Sequence, residues 1–226
     1  MIDLMKVCAH FKCPTMDELR DKMVNFGPQT RAKVLVLDMD ETLIHAKFLL
    51  TSDQEVNDNG DFVVSIASSS SSEMVKISVK MRPFLDNCLE HLAKLYEIAV
   101  FTAGEQSYAD AVLDYLDEER QIIKHRLYRQ HCIKVSPDMG IYVKDLRIIA
   151  DRHPRDVILV DNSIVSFAFN LDNGVPIAAY TRQPQDEELL YLVSYLEEVY
   201  SYPDVREQIG RTFKLREQME KHTKNK

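Results

Sequence analysis

The sequence predicts an α/β fold: a doubly wound, Rossmann-like parallel sheet with helices on both faces and a small β insertion after the first core strand. Three observations carry that expectation. Apolar runs at 33–38, 97–102 and 156–161 read as buried strands. Segments with apolar residues at helical spacing separate them. Two short strand-like runs interrupt this alternation directly after the first core strand. Strands alternating with helices imply right-handed crossovers within one sheet.

The elements follow in order. Residues 1–30 form a helical lead-in, in which Pro14-Thr15-x-x-Glu18 reads as a capping box with Thr15 as cap. Gly27-Pro28 breaks the chain before the first core strand. The insertion spans 46–82, with strands expected at 61–66 and 74–79. A turn signal at 57–60 precedes them, and a five-serine run at 68–72 connects them. An insertion at that point can overhang whatever the strand ends bind. Pro83 opens a helix whose apolar positions are Phe84, Leu85, Cys88, Leu89, Leu92 and Leu95. A second amphipathic helix spans 106–117, with Tyr108, Val112, Leu113 and Leu116 inward. Short strands are expected at 126–129 and 140–143, and a helical crossover begins at 144–151. After the strand at 156–161, the turn Asn173-Gly174 leads to a strand at 175–180, then a helix at 185–200. The main domain is thus 31–202, and 203–226 is a charged helix that frays at its end.

A length of 226 residues suits one sizeable domain, and 45% hydrophobic with 28% charged residues is ordinary for a soluble globular chain. The net charge of -8 argues against direct binding to nucleic acid or anionic membrane. It leaves room for a local basic site that meets a phosphorylated partner. Cys8, Cys13, Cys88 and Cys132 have neither zinc-site spacing nor a disulfide framework, which fits a reducing compartment. Acids in the first 29 residues argue against a leader peptide, and no apolar run approaches the ~20 residues of a membrane span. A nuclear or cytoplasmic location is expected. Oligomeric state is silent in the sequence.

The chemistry starts at Asp38-Met39-Asp40-Glu41-Thr42, directly after the first core run. Residues i and i+2 of an extended segment share a face, so both carboxylates point the same way at a C-terminal strand end. Such a pair can share a divalent cation, or split the roles of nucleophile and general acid. Thr42 adds a hydroxyl that can orient them. Three other elements end in suitable residues: Thr102 with Ala103-Gly104, Lys144, and Asp161-Asn162-Ser163. Strand ends of a doubly wound sheet converge on one crevice, so these groups can surround one anion and one cation.

Phosphoryl transfer is mainly positioning plus charge stabilisation. A phosphate monoester brings about two negative charges and repels a bare carboxylate nucleophile. Mg2+ and Lys144 would offset that repulsion. Thr102 and the backbone N–H groups after the first two strands would donate to phosphoryl oxygens. Asp38, one Asp40 oxygen, and Asn162 or Asp161 would satisfy the oxygen preference of Mg2+.

The motif D-x-D-x-T resembles the signature of the haloacid dehalogenase superfamily of phosphohydrolases. The resemblance sharpens with 38–45, Arg82-Pro83, 100–103, 108–110, Tyr142-Val143-Lys144-Asp145-Leu146 and Leu159-Val160-Asp161-Asn162-Ser163. In that order they resemble the FCP/SCP-like branch, the small C-terminal-domain phosphatases and their relatives, over roughly 33–200. The resemblance implies a Mg2+-dependent phosphoserine/phosphothreonine protein phosphatase. It implies that Asp38 is the nucleophile forming an aspartyl-phosphate. Asp40 would protonate the leaving oxygen and then activate water. Thr102 and Lys144 would hold the phosphoryl group, and Asp38, the Asp40 main-chain oxygen and Asn162 would bind the metal with Asp161 supporting. In the small phosphatases an apolar pocket near the insertion receives a proline of the RNA polymerase II tail. Phe48, Phe62, Val64 and Tyr108 are the corresponding wall candidates, and Arg129 matches an arginine near the peptide groove. Glu105 stands where that family carries an apolar residue, a departure that bears on polymerase-tail specificity.

Two other readings fit the same motif. A small-molecule phosphatase of the superfamily would need a large closing cap, and the insertion is small and β-rich. A non-catalytic scaffold of the mitochondrial translocase-subunit type departs from the catalytic motif and carries a span, whereas here both acids are intact.

Overall fold

A computed structural model of the chain describes residues 6–49, 58–67, 74–118, 120–136 and 140–223. Ten strands occur among them. They are β1 (Lys33–Leu37), β2 (Ile44–Leu49), β3 (Phe62–Ala67), β4 (Met74–Met81), β5 (Tyr96–Phe101), β6 (Ile123–Leu127), β7 (Ile133–Ser136), β8 (Ile141–Val143), β9 (Val157–Asp161) and β10 (Gly174–Pro176). Five of these form one parallel sheet in the order β10-β9-β1-β5-β6. The central strand β1 is buried on both faces, as its unbroken apolar run requires.

Residues 6–8 are helical, and the further helices among the described residues are α1 (Met16–Leu19), α2 (Leu85–Leu92), α3 (Gln106–Asp117), α4 (Glu188–Tyr200), α5 (Val205–Phe213) and α6 (Leu215–Thr223). Alternation along β1 divides the core. Leu35 and Leu37 pack with α2, α3, α4 and the insertion. Val34 and Val36 face Leu19 of α1, Ile148, Phe167 and Leu215 of α6. Thr15 forms the expected capping box with Glu18 at the start of α1.

The insertion has three antiparallel strands in the order β2-β4-β3, where two were expected. β2 was missed because its polar residues His45 and Lys47 obscure the strand signal. The serine run 68–72 lies outside the described residues. β7 is also additional, and pairs with β8 as a small hairpin.

The expected helical crossover at 144–151 is a single 3-10 turn, Leu146–Ile148. The lead-in claims its backbone. The Val24 N–H donates to the Ile148 carbonyl at 2.8 Å, and the Ala150 N–H donates to the Val24 carbonyl at 2.9 Å. Those groups are therefore unavailable to a helix ladder. The strand expected at 175–180 pairs only through Gly174–Pro176. Pro176 has no N–H to continue the ladder, and beyond it the chain braces the loop after β1. There the Tyr180 N–H donates to the Glu41 carbonyl, and Arg82 donates to the Ala178 carbonyl. The strand expected at 126–129 lies earlier, at Ile123–Leu127, and is followed by the 3-10 turn Arg129–His131.

Among the described residues no helix is long and apolar enough to cross a membrane.

Candidate active site

Beyond β1 the sheet bonding continues for one residue, as the Asp38 N–H donates to the Val160 carbonyl at 2.9 Å. The chain then turns sharply. Glu41 takes a left-handed backbone with φ 61°, a conformation that costs a non-glycine residue about 1 kcal/mol or more. Hydrogen bonds to Ile44 and Tyr180 on its two backbone groups hold it there. The Leu43 N–H returns to the Met39 carbonyl at 2.9 Å. This tight loop brings the Thr42 hydroxyl under Asp38, where it donates to Oδ2 at 2.9 Å.

Lys144 enters from the loop after β8. Its N–H donates to the Ser166 carbonyl, and its side chain is 2% exposed. Nζ donates to Asp38 Oδ1 at 2.5 Å and to Asp161 Oδ2 at 2.7 Å. Asp161 is fixed in turn by the Ser163 N–H, 2.8 Å from its Oδ1. Burial pushes the Asp38 carboxyl well above the usual carboxylate range, and the Asp161 charge adds to this against the pull of Lys144. Burial alone would lower Lys144, but the two carboxylates reverse that and hold it charged.

Asp40 takes hydrogen bonds from the Tyr108 hydroxyl at 2.5 Å and from the Thr102 hydroxyl at 3.3 Å. Burial nevertheless raises its pKa, opposed by those two bonds. The two carboxyls of the motif thus differ in partners. Asp38 is bound to an ammonium, and Asp40 only to hydroxyls. Burial, which outweighs the two hydroxyl bonds, favours an Asp40 carboxyl that holds a proton for donation. Thr102 also accepts from the Gly104 N–H at 2.8 Å, which shapes the loop after β5.

These groups line one open cavity of about 840 Å³. Asp38, Asp40, Thr102, Ala103, Gly104 and Tyr108 face it, together with Lys144, Asp161, Asn162, Arg129 and Phe48. Thr42 does not line it, being wholly buried beneath Asp38. The Arg129 guanidinium donates to the Ala103 carbonyl at 2.7 Å and to Glu105 at 2.9 Å, so the unexpected acid pairs with the groove arginine. Phe62 and Val64 are corrected: they are buried and do not line the cavity. Phe62 instead stacks on Tyr115 of α3, with ring centroids 3.8 Å apart. The apolar wall consists of Ala46, Phe48, Ile66, Ala67 and Val75 from the insertion. Ile66 was legible as the next alternate residue after Val64. Ala46 was not, because β2 itself was missed.

The donor set fits a hard divalent cation. Three carboxylates (Asp38, Asp40, Asp161) face the single Lys144 ammonium, so negative charge is in excess. The Asp40 carbonyl and the Asn162 carboxamide oxygen accept no hydrogen bond from a described residue. Among the described residues no three His, Cys, Asp or Glu side chains converge on one ion. Two carboxylates, a carbonyl and a carboxamide, with water completing the shell, is the kind of set Mg2+ accepts.

The chain is similar to known phosphatases. The family model described as NLI interacting factor-like phosphatase matches residues 33–206. CTD small phosphatase-like protein 3 of Caenorhabditis elegans is 36% identical over 208 residues, covering 90% of this chain and 68% of that protein. CTD nuclear envelope phosphatase 1B of Danio rerio is 36% identical over 183 residues, covering 80% and 72%. A structure of the fission yeast RNA polymerase II CTD phosphatase Fcp1-R271A bound to beryllium fluoride superposes with a TM-score of 0.62 at 17% identity. That likeness covers 82% of this chain and 65% of the other, and shows the shared fold. The chain belongs to the NLI interacting factor-like phosphatase family, in the FCP/SCP-like branch of the haloacid dehalogenase phosphohydrolases.

Proposed function

We propose that this chain is a Mg2+-dependent protein serine/threonine phosphatase that works through an aspartyl-phosphate on Asp38. The observation that carries this reading is the differing environment of its two motif carboxyls at one open cavity. Asp38 is oriented by Lys144 and Thr42, and Asp40 is held by two hydroxyls beside it.

In the first step an Asp38 oxygen attacks phosphorus, and the bond from phosphorus to the serine or threonine oxygen breaks. Asp40 gives its proton to that departing oxygen. In the second step water attacks phosphorus and the bond to Asp38 breaks. Asp40 takes the proton from the attacking water, and inorganic phosphate leaves. Lys144, held charged by its neighbours, balances the growing negative charge on the phosphoryl oxygens. Thr102, Ala103 and Gly104 border the same space, and the Thr102 hydroxyl with the Ala103 N–H would orient the phosphoryl group, the Gly104 N–H being taken by Thr102. Asp38, the Asp40 carbonyl and Asn162 would hold Mg2+, with Asp161 supporting, and the ion would neutralise charge on the substrate phosphate.

The open cavity and small β-rich insertion support a peptide substrate over a small molecule. Phosphorylated protein segments are the substrate class, with the RNA polymerase II C-terminal domain one candidate. Glu105 in the pocket weighs against strict polymerase-tail specificity. Relatives named for the nuclear envelope support work in the nucleus or the cytoplasm beside it.

The test is hydrolysis of an aryl phosphate and of phosphoserine peptides, with Mg2+ and with EDTA, beside Asp38→Asn. Metal-dependent turnover lost in the variant is expected. Equal turnover in EDTA would overturn the metal requirement, and turnover by Asp38→Asn equal to the native chain would overturn the nucleophile.

A further inference from the structure

A second cavity of about 620 Å³ adjoins the first, and Arg129 lines both. Its walls come from the lead-in on one side and from the β7–β8 hairpin on the other. Lys12, Lys22, Lys134 and Arg129 face it, against the single acid Glu18. That is a local concentration of positive charge on a chain whose net charge is -8.

Glu18 does little to neutralise these cations. Its Oε2 accepts from the Thr15 N–H and hydroxyl in the capping box, and only Lys12 lies near it, at 3.9 Å. The Lys22 ammonium donates to the Gln130 carbonyl at 2.7 Å, which fixes its position and leaves its charge. The Lys134 ammonium has no ion pair or hydrogen bond with a described residue. Arg129 lies over the Tyr142 ring, 5.7 Å from its centroid. Its Nε and one amino group are engaged by Ala103 and Glu105, and the other amino group has no hydrogen bond to a described residue.

The lead-in wall is firmly seated. Leu19 is fully buried, Arg147 donates to the Pro14 carbonyl at 3.1 Å, and Val24 is bridged to Ile149. Lys22 is therefore presented by a fixed surface, while the Lys12 side chain is 85% exposed.

We propose that this second cavity is an anion subsite, which takes a carboxylate or a second phosphate flanking the target phosphoresidue on the same peptide. The inference rests on the protein-phosphatase reading above. A peptide whose phosphoserine lies at Asp38 and whose chain continues past Arg129 enters a basic cavity. Acidic neighbours are attracted there, and basic neighbours are repelled. The function of the lead-in is then substrate selection, and the preferred substrate is an acidic or multiply phosphorylated segment.

The test uses the full chain with Mg2+. Phosphoserine peptides carry neutral flanks, a glutamate walked along each flank, or a second phosphoserine at the same positions. Each is compared on the native chain and on Lys12→Glu/Lys134→Glu, with an aryl phosphate as control for the catalytic centre. Acid on one flank should lower KM and raise kcat/KM roughly three- to tenfold, with kcat unchanged. The double variant should lose that preference and hydrolyse the aryl phosphate as the native chain does. A larger effect of phosphate than of glutamate identifies a second phosphate as the favoured group, and an equal effect identifies a carboxylate site. Equal kcat/KM for neutral and acidic flanks, or an acid preference that survives in the double variant, overturns the subsite. Failure to hydrolyse the aryl phosphate counts against the catalytic reading alone. Anisotropy of the same peptides, fluorescently labelled, on Asp38→Asn then reads the subsite without turnover.

Discussion

At the N-terminal edge of the parallel sheet Glu97 is buried with Arg152 and His125, and at the C-terminal edge Asp38 is buried with Lys144 and Asp161. Both are buried charge clusters on neighbouring strands, yet their balance differs. Glu97 receives four donors: the Thr30 N–H and hydroxyl, His125 at 2.6 Å and Arg152 at 2.9 Å. Burial raises its pKa, but those donors outweigh burial and the net shift is downward. Asp38 receives two donors, and its Lys144 is shared with a second carboxylate. Its pKa moves upward. In the lower cluster the carboxylate is satisfied, although the Arg152 Nε finds no partner among the described residues, and the cluster serves stability. The upper one is left with excess negative charge, which a divalent cation would relieve. Buried charge by itself does not mark a site; buried charge left unbalanced beside a cavity does.

The largest expected break in this comparison is Asp38→Asn. It should lower kcat on an aryl phosphate by about 10^4-fold or more, through loss of the nucleophile. It should leave the thermal midpoint unchanged or raised, because it removes a carboxylate that faces two others. A Tm drop larger than that of Glu97→Gln would place Asp38 with the stabilising cluster instead.

Lys144→Met is next, with kcat/KM expected to fall about 10^2- to 10^3-fold. Steady-state kinetics at saturating Mg2+ check it. Glu97→Gln should do the reverse of both. It leaves the Arg152 guanidinium, which is 3% exposed, with Asp151 at 3.1 Å as its one remaining carboxylate among the described residues, and should cost about 2 kcal/mol of stability. Urea unfolding reads that loss, and kcat should stay near native.

The pH dependence sharpens the contrast, since the two groups have opposite signs. Glu97 has a folded pKa below its ordinary 4.5. Its contribution is therefore present above 4.5 and lost as pH falls through the lower folded value. Asp38 has a folded pKa above its ordinary 3.8. Its contribution is full below 3.8 and lost as pH rises through the raised folded value. In metal-free buffer, Tm against pH should lose part of its acid-side fall in Glu97→Gln and part of its neutral-side fall in Asp38→Asn. The smallest effect belongs to Phe26→Ala. It removes a ring stacked 3.8 Å from His125 in the lower cluster and should cost about 1–2 kcal/mol.

Much of the fold was legible because the signals were local. The core strands, the helix at 106–117 and the Thr15 cap all follow from patterns within about a dozen residues. The misses occurred where distant groups took over the backbone. Val24 replaced the helix expected after Lys144, and β2 is held by pairing with β4 despite a polar pattern. Asp38, Asp40, Thr102, Lys144 and Asp161 were legible as candidates because each stands at or just after the end of an apolar run, whereas Tyr108 was read as an apolar wall and its hydroxyl bond to Asp40 was not foreseen.

The sequence by itself determined the core strands of the parallel sheet, the paired carboxylates and the family resemblance. These depend on residue identity and spacing, which need no partner. Only the tertiary structure decided which hydroxyl serves which carboxyl, and that Lys144 is shared by Asp38 and Asp161 across 106 and 17 residues of sequence separation. It alone set the lead-in and the β7–β8 hairpin face to face around a basic cavity. Such contacts join segments far apart in the chain. They arise when burying both faces of one sheet leaves a single way to close it.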